Sequence, residues 1–297
     1  MTDTPWLWAV FTVIAAAAQT VRNATQRELT TQLGTVGATH VRFLFGFPFA
    51  VLFLVGILIV SHAELPRPGT AFWPWMLAGA LLQIAATALM LAAMGERSFV
   101  VAIAYIKTEP VQVALFGLIF LGDHVTPLMA AAILIATAGV VVMSVKAHAF
   151  GGIKPPLLGL SAAACFALSA IGYRGAILSL GDPNYVMAAS YTLVIGLMVQ
   201  AGLLTAYLLA RDRAVMVAIF KMWRPSLFAG FMGALASQFW FLGFATASAA
   251  SVRTLALVEV LFAQAISHFV FKQPVSAREG GGIVLIVVGV ALLMWAY

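Results

Sequence analysis

Two apolar stretches 150 residues apart decide the fold: SFVVAIAYIKTEPVQVALFGLIFL at 98–121 and SAASVRTLALVEVLFAQAISHFVF at 248–271. Each is long enough to cross the hydrocarbon core of a bilayer, which takes about 20 mostly apolar residues. Each also carries a glutamate near its middle, Glu109 and Glu259. Because an ionised carboxylate at that depth costs about 3 kcal/mol or more, its recurrence at one offset indicates a duplicated membrane helix.

The composition of the rest of the chain is that of a membrane protein. Of its 297 residues, 63% are hydrophobic and 9% are charged, and the mean hydropathy is +1.04. Soluble domains average about 25% charged residues, which argues against a cytosolic enzyme. The single cysteine, Cys165, excludes a disulfide scaffold. No basic tract indicates a nucleic-acid partner.

Charges, prolines and glycines divide the chain into ten apolar windows, which predict ten transmembrane helices. The windows are 5–21, 36–60, 71–94, 99–121, 128–145, 157–180, 185–210, 227–247, 249–271 and 281–297. A shift of 150 positions places the fourth and fifth windows on the ninth and tenth, with Gly139 on Gly289. We therefore expect two five-helix units, 1–147 and 148–297. Because five is odd, the second unit must be inverted relative to the first.

Polar breaks follow the fourth and ninth windows, Leu-Gly-Asp-His at 121–124 and Phe-Lys-Gln-Pro at 271–274, and a glycine-containing final helix follows each break. With these features the whole chain resembles the drug/metabolite transporter superfamily, EamA type, and within it the bacterial aromatic amino-acid exporters and related metabolite exporters. The family's Gly-Glu pair is replaced by Gly122-Asp123 and Lys272-Gln273. The resemblance implies a central cavity and export of small metabolites across the cell inner membrane.

Polar and aromatic side chains on the first, third and fourth helices and their counterparts are predicted to line that cavity, with the fifth and tenth helices outside it. Tyr105 lies one turn before Glu109, and Pro110 is expected to kink the helix there. The predicted substrate-binding residues are Gln19, Asn23, Gln83, Tyr105, Glu109, Gln238, Trp240 and Glu259. Met90 is assigned to core packing.

The two glutamates are expected to act differently. Glu109 has Tyr105 and Pro110 beside it, so we expect it to contact a cationic group or a transported proton. Glu259 has Leu255 at the position of Tyr105, so we expect it to be neutral and structural. The alternative is that both carboxylates serve only packing.

Cations near the window ends have two interpretations. Arg42, Arg174 and Arg253 are predicted to extend to the headgroups, and the alternative is that they capture a substrate anion. Lys107 lies inside a window, and its charge keeps a nucleotide-linked substrate as an alternative.

The sequence thus predicts a secondary transporter that exports small organic metabolites, amino acids among them, by alternating access. The alternatives are an exporter of organic cations or drugs, a nucleotide-linked metabolite exporter and, less favoured, a membrane enzyme acting on lipid-linked substrates. Since no catalytic, phosphate-binding or metal-ligand motif occurs, we expect no enzyme activity, cofactor or metal. The expected partners are the substrate and the bilayer, with the protein a monomer.

The cations are distributed unequally between the two predicted sides. Only Arg67, Arg174 and Arg253 fall on the side of the termini, whereas twelve fall on the other. The positive-inside rule then places both termini outside, whereas the resemblance implies cytoplasmic termini. The twelve are Arg22, Arg27, Arg42, Arg97, Lys146, Lys154, Arg211, Arg213, Lys221, Arg224, Lys272 and Arg278.

Overall fold

The computed structural model describes residues 6–96, 105–144, 154–269 and 276–296, and every regular element in these ranges is an α-helix. The helices are α1 Leu7–Ser61, α2 Phe72–Glu96, α3 Glu109–Leu121, α4 Pro127–Ser144, α5 Lys154–Ser179, α6 Tyr185–Arg211, α7 Arg213–Lys221, α8 Trp223–Thr246, α9 Ala249–Leu255, α10 Val258–Phe269 and α11 Ala277–Ala296. The predicted break at 271–274 and the start of the fourth window at 99 lie outside the described residues.

Six of the described helices, namely α1, α2, α5, α6, α8 and α11, are long and apolar enough to cross a membrane. Two shorter apolar helices, α3 and α4, accompany them. The 55 residues of α1 include two apolar arms, 7–33 and 35–61, separated at Gly34, which has φ +66° and ψ 176°. A residue with a side chain is strained at that φ. The chain is therefore an all-helical, multi-pass membrane protein.

Two helices are interrupted directly before the glutamates of the duplicated stretches. Residues 107 and 108 form a turn after helical Tyr105 and Ile106, and α3 begins at Glu109 with Pro110 in its first turn. In the second stretch, α9 ends at Leu255 and α10 begins at Val258. The expected kink at Pro110 is thus an interruption of the helix at residues 107 and 108, because proline is tolerated at the start of a helix and not in its interior.

The main helix pairs each join the first half of the chain to the second. α1 packs chiefly on α8, α2 on α5, and α4 on α11. Glycines allow backbone contact at these crossings, since a Cβ on Gly172 would lie 2.6 Å from the amide nitrogen of Gly79. A Cβ on Gly139 would lie 2.7 Å from the carbonyl oxygen of Gly282. Close packing of small residues is a main source of helix association in membranes.

We predict that Gly139→Leu lowers the thermal unfolding midpoint of the detergent-purified protein, because overpacking the contact between α4 and α11 costs about 1–3 kcal/mol or more. Gly202→Leu is the matched control, since a Cβ on Gly202 of α6 has nothing within 4 Å. Equal midpoints for the two variants would contradict the packing shown by α4 and α11.

Candidate substrate site

Two ion pairs lie at the centre of the molecule and connect its halves. The Nζ of Lys107 lies 2.7 Å from Oε1 of Glu259, and the Nε of Arg253 lies 3.0 Å from Oε1 of Glu109. All four residues are at most 8% exposed. The Arg253 contact lacks the alignment of a hydrogen bond, so it is an ion contact. Each half of the chain therefore neutralises the glutamate of the other half.

The helix breaks explain why these charges occur at this depth. Glu109 and Glu259 lie in the first turns of α3 and α10, where the positive end of the helix dipole stabilises a carboxylate. Arg253 lies in the last turn of α9, where the dipole favours a cation. Lys107 lies in the turn before α3. The breaks thus place positive helix N-termini beside the glutamates and a negative helix C-terminus beside Arg253.

Gln19 and Trp240 extend the cluster by hydrogen bonds. The Nε2 of Gln19 donates to Oε2 of Glu259 over 3.3 Å, and Nε1 of Trp240 donates to Oε1 of Gln19 over 3.1 Å. The Arg253 guanidinium lies 4.4 Å from the centroid of the Trp240 ring and 5.4 Å from that of Phe244. Cation–π contact of this kind stabilises a desolvated guanidinium.

A small cavity of about 20 Å³ lies inside the cluster. Such a volume holds about one water molecule, which is too little for an organic substrate. Among the described residues, the cluster is therefore closed to an organic substrate. The cavity is lined by Gln19, Arg22, Asn23, Met90, Ile106, Lys107, Glu109, Phe166, Arg253 and Glu259.

Two further arginines are buried next to the cluster. Arg22 is 1% exposed and donates from Nη2 to Oδ1 of Asn23 over 2.7 Å. Arg42 is 3% exposed and donates from Nη1 to Oγ1 of Thr87 over 3.1 Å. Their aliphatic stems both lie on Gly233 of α8, where a Cβ would be 3.4 Å from Arg22 Cδ and 3.2 Å from Arg42 Cγ. Glycine at 233 therefore allows the two cations to lie side by side.

Arg174 forms a separate contact between the halves, outside the cavity lining. Its Nη2 pairs with Oδ1 of Asp123 over 3.3 Å. Its Nη1 donates to the carbonyl oxygen of Phe244 over 2.6 Å and to that of Ala247. Asp123 directly follows Gly122, which ends α3 in the left-handed conformation. The side chain thus joins the end of α8 to the connection between α3 and α4.

These contacts correct the prediction that Arg42, Arg174 and Arg253 extend to the headgroups. Each guanidinium has a hydrogen-bond acceptor, a carboxylate or an aromatic face within the protein. The contacts also correct one premise of the expectation for Glu259, namely that it is buried without a charged partner. Lys107, which the sequence pairs with neither glutamate, reaches Glu259 across the boundary between the halves.

Four of the eight predicted site residues, Gln19, Asn23, Glu109 and Glu259, line the cavity. Trp240 contacts the cluster through Gln19 and Arg253. The cavity therefore lies among the predicted lining helices, and none of its described lining residues comes from α4 or α11.

The other three predicted residues lie elsewhere. Gln83 belongs to a buried network in which its Oε1 accepts from the hydroxyl of Tyr173 over 3.1 Å and from Nε2 of Gln200 over 2.9 Å. Tyr105 packs on Gly159, where a Cβ would be 2.5 Å from the tyrosine Cβ. Sequence position alone does not distinguish the helix faces that carry Gln83 and Tyr105 from the neighbouring faces that line the cavity.

Gln238 lies against a second, apolar cavity between α1, α6 and α8. Its Nε2 donates to the hydroxyl of Ser190 over 2.7 Å, and its Oε1 has no partner among the described residues. This cavity measures about 690 Å³. Its lining residues are Leu52, Phe53, Gly56, Ile57, Val60, Ser61, Asn184, Val186, Leu235, Gln238, Phe239 and Leu242.

Arg22 is the central residue that the sequence analysis assigned wrongly, since it was counted among the loop cations. The first apolar window ends at residue 21, whereas the helix continues to Gly34. The polar residues Arg22, Asn23 and Gln26 are all buried inside this extension. Their spacing of three to four residues is the signal that could have identified a polar helix face. Met90, assigned to packing, also lines the cavity.

The sequence model of the EamA-like transporter family matches the chain twice, at residues 6–145 and 153–295. The chain belongs to this transporter family. Twenty-eight chains of solved structures match it. One of them, described only as "Crystal structure of protein", has a TM-score of 0.67 and 17% identity, and the match covers 97% of this chain and 99% of that one. This likeness shows the fold alone. No curated protein matches significantly.

We predict that the ion pairs can be identified by charge rescue. Lys107→Met leaves Glu259 buried without its cation and should destabilise the protein by about 3–5 kcal/mol. Adding Glu259→Gln should restore most of the loss, because no unpaired carboxylate then remains. The control is Lys107→Met with Glu109→Gln, which leaves two unmatched charges. Unfolding midpoints in detergent provide the comparison, and equal rescue by both glutamine substitutions would contradict the pairing.

Proposed function

We propose that the protein is a ten-helix secondary transporter that exports small organic metabolites across the inner membrane by alternating access between two inverted halves. The observation that carries the proposal is the pair of reciprocal ion contacts, Lys107 with Glu259 and Arg253 with Glu109. They connect the halves around a central, closed cavity. A movement of one half against the other must separate or exchange these partners, so the charges respond directly to opening.

The helix contacts support an inverted duplication. The first arm of α1 contacts α8, the third helix of the second half, through Phe11 with Phe239 and Gln19 with Trp240. Reciprocally α5, the first helix of the second half, packs on α2, the third helix of the first. The final helices, α4 and α11, pack on each other. Reciprocal contacts of this kind are those of two halves related by a twofold axis, and five spans in each half make the repeat inverted.

The contact made by Arg174 fits a gate on one side of the cavity. It joins Asp123 to the backbone at the end of α8, and Phe244 there also contacts Arg253 of the cluster. A movement of α8 that breaks the Arg174 contacts therefore also changes the environment of Arg253. Through this link, a change at the gate alters the substrate site, and a change at the substrate site alters the gate.

The cluster carries both signs of charge, which suits amino acids as the first substrate class to test. Glutamates recognise an ammonium group, and arginines recognise a carboxylate with directed N–H donors. The main alternative, a nucleotide-linked metabolite, would use Arg22 and Lys107. The EamA family comprises drug and metabolite transporters, and we propose no chemical reaction, cofactor or metal for this chain. The protein is proposed to act as a monomer.

Counterflow in proteoliposomes tests the proposal. Vesicles loaded with an unlabelled amino acid should accumulate its radiolabelled form only if the protein exchanges it. Arg253→Gln should reduce the initial rate at least about tenfold, because it removes the cation opposite Glu109. Arg211→Gln, which removes an exposed charge at the end of α6, should leave the rate unchanged. No counterflow of any amino acid, amine or nucleotide probe by the folded protein would refute the transport function.

The charge count that sets the orientation changes, because Arg22, Arg42 and Arg253 are buried and the part-buried Arg174 pairs with Asp123. Without Arg22 and Arg42 on one side and Arg174 and Arg253 on the other, the difference becomes ten cations against one. We therefore predict that the exposed start of α7 is cytoplasmic and both termini are external. Ala214→Cys in a Cys165→Ser background should resist a membrane-impermeant maleimide in intact cells and react after lysis. Labelling in intact cells would reverse the orientation.

A further inference from the structure

The central cluster has more positive than negative groups. Arg22, Lys107 and Arg253 line the cavity with Glu109 and Glu259, and Arg42 lies beside Arg22 on Gly233. Among the described residues, four buried cations thus face two buried carboxylates. Outside the cluster, the part-buried Arg174 pairs with Asp123 over 3.3 Å. The cluster therefore has an excess of two positive charges.

The excess falls on the two arginines and not on the ion pairs. Lys107 and Arg253 are matched by the glutamates. The Nε and Nη1 atoms of Arg22 and the Nε of Arg42 have no partner within the described part of the chain. Arg42 has partial compensation from the Thr87 hydroxyl and from the Phe43 ring, whose centroid is 5.2 Å away. Among the described residues, the hydrogen-bond acceptor of Arg22 is the neutral Oδ1 of Asn23.

An unpaired buried guanidinium is expensive, because a charge that leaves water must be paired and hydrogen-bonded to offset its desolvation. Two unused donor atoms on a residue that is 1% exposed are therefore a site for an acceptor. Arg22 lines the cavity, so the acceptor has a place to bind beside it. Arg42, Arg253 and Glu259 are the charged groups that act on Arg22, and two of these three are cations.

We infer that the site takes an organic anion whose carboxylate or phosphate oxygens bind the Arg22 guanidinium. This inference rests on the proposed transport function and names the substrate class of the same site. It replaces the cationic ligand expected from the sequence, because Lys107 and Arg253 already occupy the glutamates. An amino acid that fits the excess charge has an acidic side chain. The cavity must widen to admit any of these molecules, and Arg22 then supplies donors that are unused in the closed conformation.

Ligand-induced thermal stabilisation of the purified full-length protein provides the test. The probes are L-glutamate, succinate and inorganic phosphate, with L-glutamine and tetraethylammonium as uncharged-side-chain and cationic comparisons. We expect glutamate or succinate to raise the unfolding midpoint, and the comparisons to have no effect. Phosphate distinguishes phosphate from carboxylate recognition. Stabilisation by tetraethylammonium alone, or by none of the three anions, would overturn the inference.

Three variants assign the effect to Arg22. Arg22→Gln should weaken the apparent affinity for the stabilising anion at least about tenfold, as expected for loss of a charge-assisted hydrogen bond. Arg22→Lys should retain part of the affinity, because it keeps the charge without the guanidinium geometry. Arg211→Gln should bind as the unmodified protein does. Unchanged anion affinity in Arg22→Gln would also overturn the inference.

Counterflow separates this inference from the transport function. Exchange of succinate or glutamate, lost in Arg22→Gln, supports both. Exchange of L-glutamine or tetraethylammonium without exchange of either organic anion leaves the transporter assignment in place and overturns the anion assignment. Because Arg22→Gln removes an unpaired charge, its unfolding midpoint without ligand should equal or exceed that of the unmodified protein. This measurement excludes misfolding as the cause of lost binding.

Discussion

The reciprocal neutralisation of two buried glutamates by cations from the opposite half is the constraint on which the structure depends. Glu109 and Glu259 could not remain charged at the centre of an apolar bundle without Arg253 and Lys107. Among the described residues, the ion contact of each glutamate comes from the opposite half, so these contacts require the two halves to pack together. The helix breaks supply suitably oriented dipoles. Glycine contacts such as that of Gly79 with Gly172 bring the halves close enough for the pairs to form.

Such pairs are suited to movement rather than to maximum stability. A buried ion pair often contributes little net free energy, because desolvation offsets much of its attraction, whereas losing one partner is costly. A substrate that supplies a replacement charge can therefore open the cluster at small net cost. Arg253 has a second interaction with the Trp240 face, which remains available when Glu109 separates. Arg253 therefore keeps one of its partners when it separates from Glu109.

The sequence was sufficient for much of the fold but for only part of the site. Hydrophobic length predicted the membrane helices, and the shared positions of Glu109 and Glu259 located the centre. The same reasoning treated charge as the end of a span, so it ended the first helix before Arg22 and moved Arg42 and Arg253 towards the headgroups. Such a prediction considers only the free-energy cost of placing a charged side chain in the hydrocarbon of the bilayer. In the folded protein, acceptors on distant helices offset that cost. Those partners are determined by tertiary packing, so the periodicity of a single helix does not predict them.

The two halves share their carboxylates but not their cations, and this difference makes the two ion pairs unequal. A shift of 150 positions places Glu109 on Glu259, but it places Lys107 on Leu257 and Arg253 on Ile103. Lysine is a flexible, compact charge, whereas arginine is a planar group that stacks on aromatic rings. The Lys107 pair therefore has fewer supporting contacts to lose than the Arg253 pair, which Trp240 and Phe244 hold in place. The two ion pairs of the duplicated scaffold therefore differ in the free energy needed to separate them.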